Sequence, residues 1–351
     1  MQEFIVPRLP DSVKYAFIDS DSIAYQGAFA VQKARYKYMN IHTREETLTF
    51  ENAKQGKTYL AQEEEKCLLF GFEFNPADWA REKIVVLGSE EEALKAADTA
   101  LNGWLKHVPG REWKGFFTEK GETKTKDLPG LEKRYQGNRD GVVSPVHLMT
   151  CRNHLMSRDE MIMVKNGFEA DAIVLSRAEK KGKEACVVSL DKDLRQAENT
   201  YIIDMSYDPP LITIADNNVG GVWECPLKSD PKKKKYKFNG CGFKWLCLQA
   251  VAGDMADHYG GIKGIGARTV INALEGCETY EQCLDAVYAF YDAHGRFKYV
   301  SWDNQEMDLS PAEMCLQHFN LAYQERSPTD SFTFEKYNWS VDGYKRRKNN
   351  G

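Results

Sequence analysis

The 351-residue chain has no apolar run of about 18 residues, so a membrane-spanning helix is not expected. Its first residues lack the basic-then-apolar layout of a secretory signal. None of the nine cysteines forms a C-x-x-C pair, and the nearest neighbours, Cys241 with Cys247 and Cys277 with Cys283, have five residues between them. That pattern argues against a disulfide scaffold and predicts buried free thiols in a reducing compartment. There is no internal repeat and no sizeable low-complexity segment. An excess of basic charge is also missing: 47 Lys and Arg face 52 Asp and Glu, a net charge of -5. Taken alone, this balance argues against a nucleic-acid binder, whose footprint is usually basic. What is present is 42% hydrophobic and 28% charged residues, enough for a sizeable core and unlike a disordered or collagen-like chain. The length suggests about two domains.

The first clear element is YAFIDSDSIAY (15–25), an apolar strand ending in acids. Residues 36–60 alternate like a hairpin, and a helix is expected from about 89 to 107, opened by a Ser89/Glu92 capping box. WKGFFTEKG (113–121) reads as a second short strand, followed by a basic loop through KRYQGNRDG (133–141). FEADAIVLSRAEKKG (168–182) is a helix with acids at its start and bases near its end, as the helix dipole prefers. ACVVSLDKDLRQ (185–196) is a buried-type strand running into an acidic turn, and YIIDM (201–205) is a further strand. LITIADNNVGGVWECPL (211–227) suggests a hairpin or irregular loops and leads to the basic run PKKKKYKF (231–238). Beyond residue 241 the pattern is helical, with starts at Thr279/Gln282 and Ser310–Glu313, and the tail KRRKNNG (345–351) reads as disordered. Strand–helix alternation followed by helices predicts an α/β domain carrying a helical subdomain.

Acids cluster at the ends of these elements: Asp19, Glu119, Asp191 and Asp193 after strands, Glu169 and Asp171 at a helix start. Each taken singly reads as an ordinary turn or cap residue. If the strands are parallel neighbours, however, their carboxyl ends share one edge of the sheet and the acids converge there. Two like charges 4 Å apart repel by about 4 kcal/mol at an effective dielectric near 20, so such a cluster needs protons, basic partners or divalent cations. Oxygen-only donors favour Mg²⁺ or Mn²⁺ over zinc.

LQAVAGDMADHYGGIKGIGARTVINAL (248–274) is the second informative segment. Asp254 and Asp257 are three apart and would share a helix face. Gly260, Gly261, Gly264 and Gly266 permit a tight hairpin whose N–H groups can approach phosphate ahead of a helix starting near Ala267. Ala267 stands where a Walker loop has lysine, and a dinucleotide fingerprint's third glycine is missing. A helix–hairpin–helix phosphate clamp fits the spacing better than an ordinary Gly-rich connection, which is the alternative.

With these pieces in order, the chain resembles the 5′→3′ exonucleases and flap endonucleases, most closely the phage-type enzymes. The motifs are FIDSDS, GFFTEKG, YQGNRDG, GFEADA, VSLDKDL and VAGDMADHYGGIKGIGART, spread over residues 15–274. The last two are specific, and the first two carry little alone. The resemblance implies a Rossmann-like, PIN-type α/β fold: a mixed or parallel sheet flanked by helices, with a helix–three-turn–helix (helix–hairpin–helix) DNA-binding subdomain. It implies a nuclease domain over 1–240, with a less typical insertion at 30–110, and a helical DNA-binding part over 241–351 that contains the hairpin motif at 248–274.

The implied activity is two-metal hydrolysis of DNA phosphodiesters near free 5′ ends or flaps, with RNA–DNA hybrid as a further substrate. Asp19, Glu119, Glu169 and Asp171 match ligands of mainly one metal; Asp191, Asp193, Asp254 and Asp257 match those nearer a second. The implied cofactors are two Mg²⁺ ions, with Mn²⁺ as a substitute, and K⁺ at the hairpin 260–266. Arg139 matches a base that meets the scissile phosphate. The family usually has lysine where Gln136 stands, and Lys133, Arg134 or Lys120 can supply that charge. It usually has Asp at Glu119 and a further acid at Ala172. DNA contacts are expected from Gly261, Lys263, Gly264, Gly266 and Arg268. The run 231–238 lies outside the resemblance: Lys233 and Lys234, with Tyr236 and Phe238 beside them, either track a phosphate backbone or form a solvated loop. Tyr135 either stacks on a frayed nucleotide or packs in the core. The location implied is the cytoplasm, that of the host if the chain is phage-encoded. A non-catalytic DNA-junction binder and a PIN-type ribonuclease are the alternatives. Setting aside the eight site acids takes the remaining charge from -5 to +3, so the acidic total no longer excludes nucleic acid.

Overall fold

The computed structural model describes residues 4–350 apart from 44–46, 120–125, 127, 166–167, 218 and 227–235. The chain divides into two compact units, one of residues 1–22, 104–143 and 156–351 and one of residues 23–103 and 144–155.

The first unit is built on a sheet of seven strands among the described residues: β1 (Ile5–Val6), β2 (Tyr15–Asp19), β3 (Glu112–Thr118), β4 (Met161–Val164), β5 (Ala185–Ser189), β6 (Tyr201–Asp204) and β7 (Leu211–Ile214). Their spatial order is β1-β7-β6-β5-β2-β3-β4. The stretch from β6 to β4 is parallel, with Tyr15 opposite both Glu112 and Ala185, Gly115 opposite Met161 and Cys186 opposite Tyr201. β7 and β1 add antiparallel strands at one end. All five residues of β5 are buried, as its apolar run ACVVS requires of a central strand covered on both faces. Helix α1 (Ala170–Lys181) packs Val174, Leu175 and Ala178 against Phe17, Phe116 and Val187. The α/β expectation therefore holds, with the mostly parallel sheet in the predicted place.

Residues 211–227 do not form one hairpin. Leu211–Ile214 joins the main sheet beside Tyr201–Asp204, while Gly221–Pro226 pairs with Tyr236–Cys241. The first strand takes its partner from just upstream, across the connection 205–210, so the hairpin it belongs to begins before residue 211. The helical part of the same unit comprises α2 (Phe243–Ala252), α3 (Ala267–Leu274), α4 (Tyr280–His294), α5 (Pro311–Ala322) and α6 (Val341–Asn350). Phe243, Val270, Leu284, Tyr291, Phe319 and Phe332 form its core. Capping boxes at Thr279/Gln282 and Ser310/Glu313 open α4 and α5 as the sequence predicts. The tail expected to be disordered is instead helical through Asn350: Arg347 bonds Asp285 at 2.7 Å and Lys348 bonds Asp292 at 2.7 Å. Its charges are matched by acids on α4, a pairing that composition alone cannot reveal.

In the second unit, Gln32–Asn40 pairs antiparallel with both Thr47–Phe50 and Trp79–Leu87. The hairpin expected over 36–60 thus exists only in its first part. Asn52 then caps a helix, Ala53–Phe70, by accepting from the Gln55 N–H at 2.9 Å. Its Ala, Lys, Gln, Glu and Leu content favours helix over the apparent alternation. The helix Glu90–Leu105 starts on the predicted Ser89/Glu92 box, with bonds of 2.8 and 3.2 Å.

Candidate metal centre

Parallel pairing puts the carboxyl ends of β2, β3 and β5 on one edge, and the site is assembled there. Asp19 ends β2, buried, with its Oδ2 accepting from Ser22 Oγ at 2.9 Å and Ser189 Oγ at 3.1 Å. Burial pushes its carboxyl above the ordinary range, and the two serine bonds oppose that shift. At the end of β3, the Thr118 N–H donates to Asp21 at 2.9 Å while its Oγ1 accepts from the Ala170 N–H at 3.0 Å. One residue therefore ties the strand end to the start of α1. Glu119 follows, held by its N–H to Val164 O at 3.1 Å. Glu169 is the N-cap of α1, yet its side chain makes no capping bond.

Asp171, in the first turn of α1, is pushed well above the usual carboxylate range by burial and then by repulsion from Asp19, Asp191, Glu169 and Asp193. Asp191 is pushed up to about 7 by burial and by Asp193. It also caps the 3₁₀ turn Lys192–Gln196, accepting from the Asp193 N–H at 2.8 Å. These acids thus sense one another's charge across three different elements.

The tightest grouping is elsewhere on the same edge. Among the described residues, Asp193, Asp254 and Asp257 bring carboxylate oxygens within 4.8 Å of one another. Asp254 and Asp257 were expected on one helix face, but α2 stops at Ala252 and they lie on the chain reversal that follows. The reason is steric. Gly253 has a φ of 77°, and a Cβ there would lie 2.2 Å from Gly261 N. The two acids therefore converge through a turn. Gln249 bonds Asp193 and reaches Asp254 Oδ2 at 3.5 Å; Gln136 donates to Asp257 Oδ1 at 2.7 Å and Arg139 to the same oxygen at 2.8 Å.

Lys192 stands within this group. Its Nζ contacts Asp254 Oδ2, lies 3.1 Å from Asp193 Oδ1 and 3.8 Å from Asp257 Oδ2. Burial opposes its charge, but Asp193, Asp254 and Asp191 outweigh that and hold the ammonium above its ordinary pKa. In turn, although burial pushes Asp193 up, Lys192 and the Gln249 bond bring it below the usual range. Asp257 is raised, by burial and by Asp193. The donor set is oxygen only and a side-chain cation already sits among it, so the residues fit a hard divalent ion.

Of the bases, Arg139 reaches the acids, whereas Arg134 pairs with Asp140 at 2.7 Å and lies over the Trp302 ring, and Lys133 is exposed. Gln136 supplies an amide, not a charge, to Asp257. Tyr135 is buried in the helical core, so the packing reading holds and stacking on a nucleotide does not. In the hairpin, Lys263, Gly264 and Gly266 are exposed, Gly261 is half-buried, and a Cβ on Gly261 would meet Val251 O at 2.1 Å. Arg268 forms a two-pronged ion pair with Glu224, including a 2.8 Å bond. Lys120, Lys233 and Lys234 lie outside the described residues, as does the Tyr236 side chain.

A cleft of about 630 Å³ opens over Asp191, Asp193, Asp254 and Asp257, with Phe238 and Trp245 on its apolar side. Sequence reasoning missed Lys192, Gln249, Ser22, Ser189 and Thr118. Only Lys192 carried a local signal, since it separates the two acids of DKD.

No described helix is long and apolar enough to cross a membrane. No family model matches the chain. It is 24% identical over 181 residues to DNA polymerase I of Deinococcus radiodurans, covering 51% of this chain and 15% of that protein. It is 30% identical over 131 residues to DNA polymerase I of Borreliella burgdorferi, covering 36% of this chain and 12% of that one. The chain therefore spans no more than 15% of the length of these two polymerases. Among solved structures it is similar to T5 5′-exonuclease, with a TM-score of 0.42 and 13% identity over 65% of this chain and 80% of the other. A complex of bacteriophage T5 D15 flap endonuclease with DNA and metal ions gives a TM-score of 0.42 and 12% identity, over 67% and 82%.

Proposed function

We propose that the chain is a divalent-cation-dependent 5′→3′ exonuclease and flap endonuclease that hydrolyses DNA near free 5′ ends. The observation that carries this reading is the gathering of acids from separate segments onto one sheet edge, ending in the Asp193–Asp254–Asp257 triad. The similarity to DNA polymerases supports DNA as the substrate. Asp19, Glu119, Glu169 and Asp171 would hold mainly one Mg²⁺ or Mn²⁺, and Asp191, Asp193, Asp254 and Asp257 a second. Two such ions, when bound, would supply an activated water and neutralise charge on the phosphate and leaving oxygen.

The chain's own contribution is orientation. Ser22 and Ser189 fix one oxygen of Asp19, and Gln249 and Gln136 fix Asp193 and Asp257. Arg139, half exposed at the cleft, adds positive charge where the phosphate would lie. Residues 1–240 would supply most of the site acids and 241–351 the grip on duplex backbone. That grip would come from the hairpin 260–266, with K⁺ bound there, through Lys263 and backbone N–H groups ahead of α3. Lys233 and Lys234 would track a phosphate backbone, and an RNA–DNA hybrid would also be cut.

The test is a panel of 5′-labelled overhang, blunt, gapped and flap substrates with and without Mg²⁺. Metal-dependent release of short 5′ products is expected, and Asp191→Ala with Asp193→Ala should abolish it in a folded chain. Full activity in that double variant overturns the assignment. Flap binding with no cleavage in Mg²⁺ or Mn²⁺ would instead identify a junction binder.

A further inference from the structure

We propose that the Lys192 ammonium is a built-in counter-ion that holds the place of a divalent cation among Asp193, Asp254 and Asp257 and leaves when that cation enters. The inference rests on the triad being a cation site, as proposed above. Three carboxylates within 4.8 Å of one another cannot stay ionised side by side without a positive charge. Lys192 supplies one: its Nζ touches Asp254, bonds Asp193 at 3.1 Å and faces Asp257 at 3.8 Å. With Arg139 on Asp257 at 2.8 Å, the ammonium still leaves one of the three charges without a counter-charge, and its 3.1 and 3.8 Å contacts are long beside the roughly 2.1 Å of a small divalent ion. The triad is therefore assembled but incompletely neutralised, an arrangement that favours exchange of the ammonium for a divalent ion.

The residue is also built so that only its side chain needs to move. Its carbonyl accepts from Trp245 Nε1 at 2.8 Å, and Asp191 caps the turn it opens, so the backbone is pinned on both sides. The side chain is 32% exposed and lines the cleft, which gives the displaced ammonium an open path. Swung outward it would remain beside the triad, as a positive charge facing the cleft in which a phosphate would lie.

The full chain is titrated with Mn²⁺ by calorimetry, following the site that Asp254→Ala removes. If Lys192 holds the triad about nine-tenths of the time, Lys192→Met binds Mn²⁺ there roughly tenfold more tightly. Lys192→Arg, which keeps the charge, stays close to the unaltered chain. A second measurement needs no variant. Acetylation of Lys192, read by mass spectrometry against the exposed Lys263, should quicken when Mn²⁺ saturates the chain. Equal or weaker Mn²⁺ affinity in Lys192→Met, or acetylation unmoved by Mn²⁺, overturns the exchange while leaving the nuclease reading standing. Absence of Mn²⁺ binding in both the unaltered chain and Lys192→Met overturns the cation site itself, and the exchange with it.

Discussion

Asp191 and Asp193 are two residues apart, yet their carboxyls are pushed in opposite directions. Burial and the neighbouring Asp193 raise Asp191 to about 7, whereas Lys192 and Gln249 overcome burial to keep Asp193 ionised. A metal ligand must be deprotonated, so cation binding should expel the Asp191 proton near neutral pH. The affinity for Mg²⁺ is therefore expected to fall as pH drops through 7. Calorimetry in two buffers of different ionisation enthalpy measures the proton release directly; equal heats at pH 7 would show that Asp191 is already ionised. Gln249 is the clearest supporting side chain, bonding Asp193 and approaching Asp254 from within α2. Gln249→Leu keeps the volume and removes the donor. It should weaken Mn²⁺ binding at the triad by roughly 10–100-fold, the usual cost of losing an outer-sphere partner, with the far-ultraviolet circular dichroism unchanged.

At the scale of elements, the chain reversal between α2 and α3 does what no single ligand can. It returns Asp254 and Asp257 to the strand-end acids, and it depends on two glycines packed backbone to backbone. Gly253→Ala would combine a strained φ of 77° with a Cβ 2.2 Å from Gly261 N. A loss of more than about 2 kcal/mol is expected in denaturant unfolding, together with loss of the triad's Mn²⁺ site. A normal site in a stable Gly253→Ala chain would show that the reversal is not what positions the acids. This element also marks the limit of what the sequence reveals. The strand-end acids were legible because an apolar run followed by Asp is a local signal, and parallel pairing then fixes the edge on which they meet. The glycine spacing revealed a hairpin, but not that α2 stops before Asp254. Lys192 and Gln249 escaped because their role exists only once segments 192–193, 249 and 254–257 are folded together. Likewise the helix at 341–350 depends on ion pairs to α4 that composition does not reveal, whereas at 53–70 a helix-favouring content was masked by an apparent alternation.

At the scale of the whole chain, the same carboxylates explain why an acidic protein can be read as a DNA-binding one. The net charge of -5 becomes +3 when the eight site acids are set aside, so those acids carry the deficit. In metal-free chain they present negative charge where a phosphate would have to approach, offset locally by Lys192 and Arg139. Each divalent ion that enters adds two positive charges at that place and lowers the repulsion for any DNA backbone nearby. Binding of a 5′-flap oligonucleotide should accordingly be weaker in EDTA than in saturating Ca²⁺, a hard cation of the same oxygen-donor class. Salt sharpens the comparison. Screening weakens attraction and repulsion alike, so raising ionic strength should lower the affinity steeply in Ca²⁺ and less steeply in EDTA, where site repulsion is screened as well. Fluorescence anisotropy on the full chain at several salt concentrations measures both slopes. Identical affinity and identical slopes with and without Ca²⁺ would mean that the acids lie out of reach of bound DNA, and the nuclease reading would fail with them.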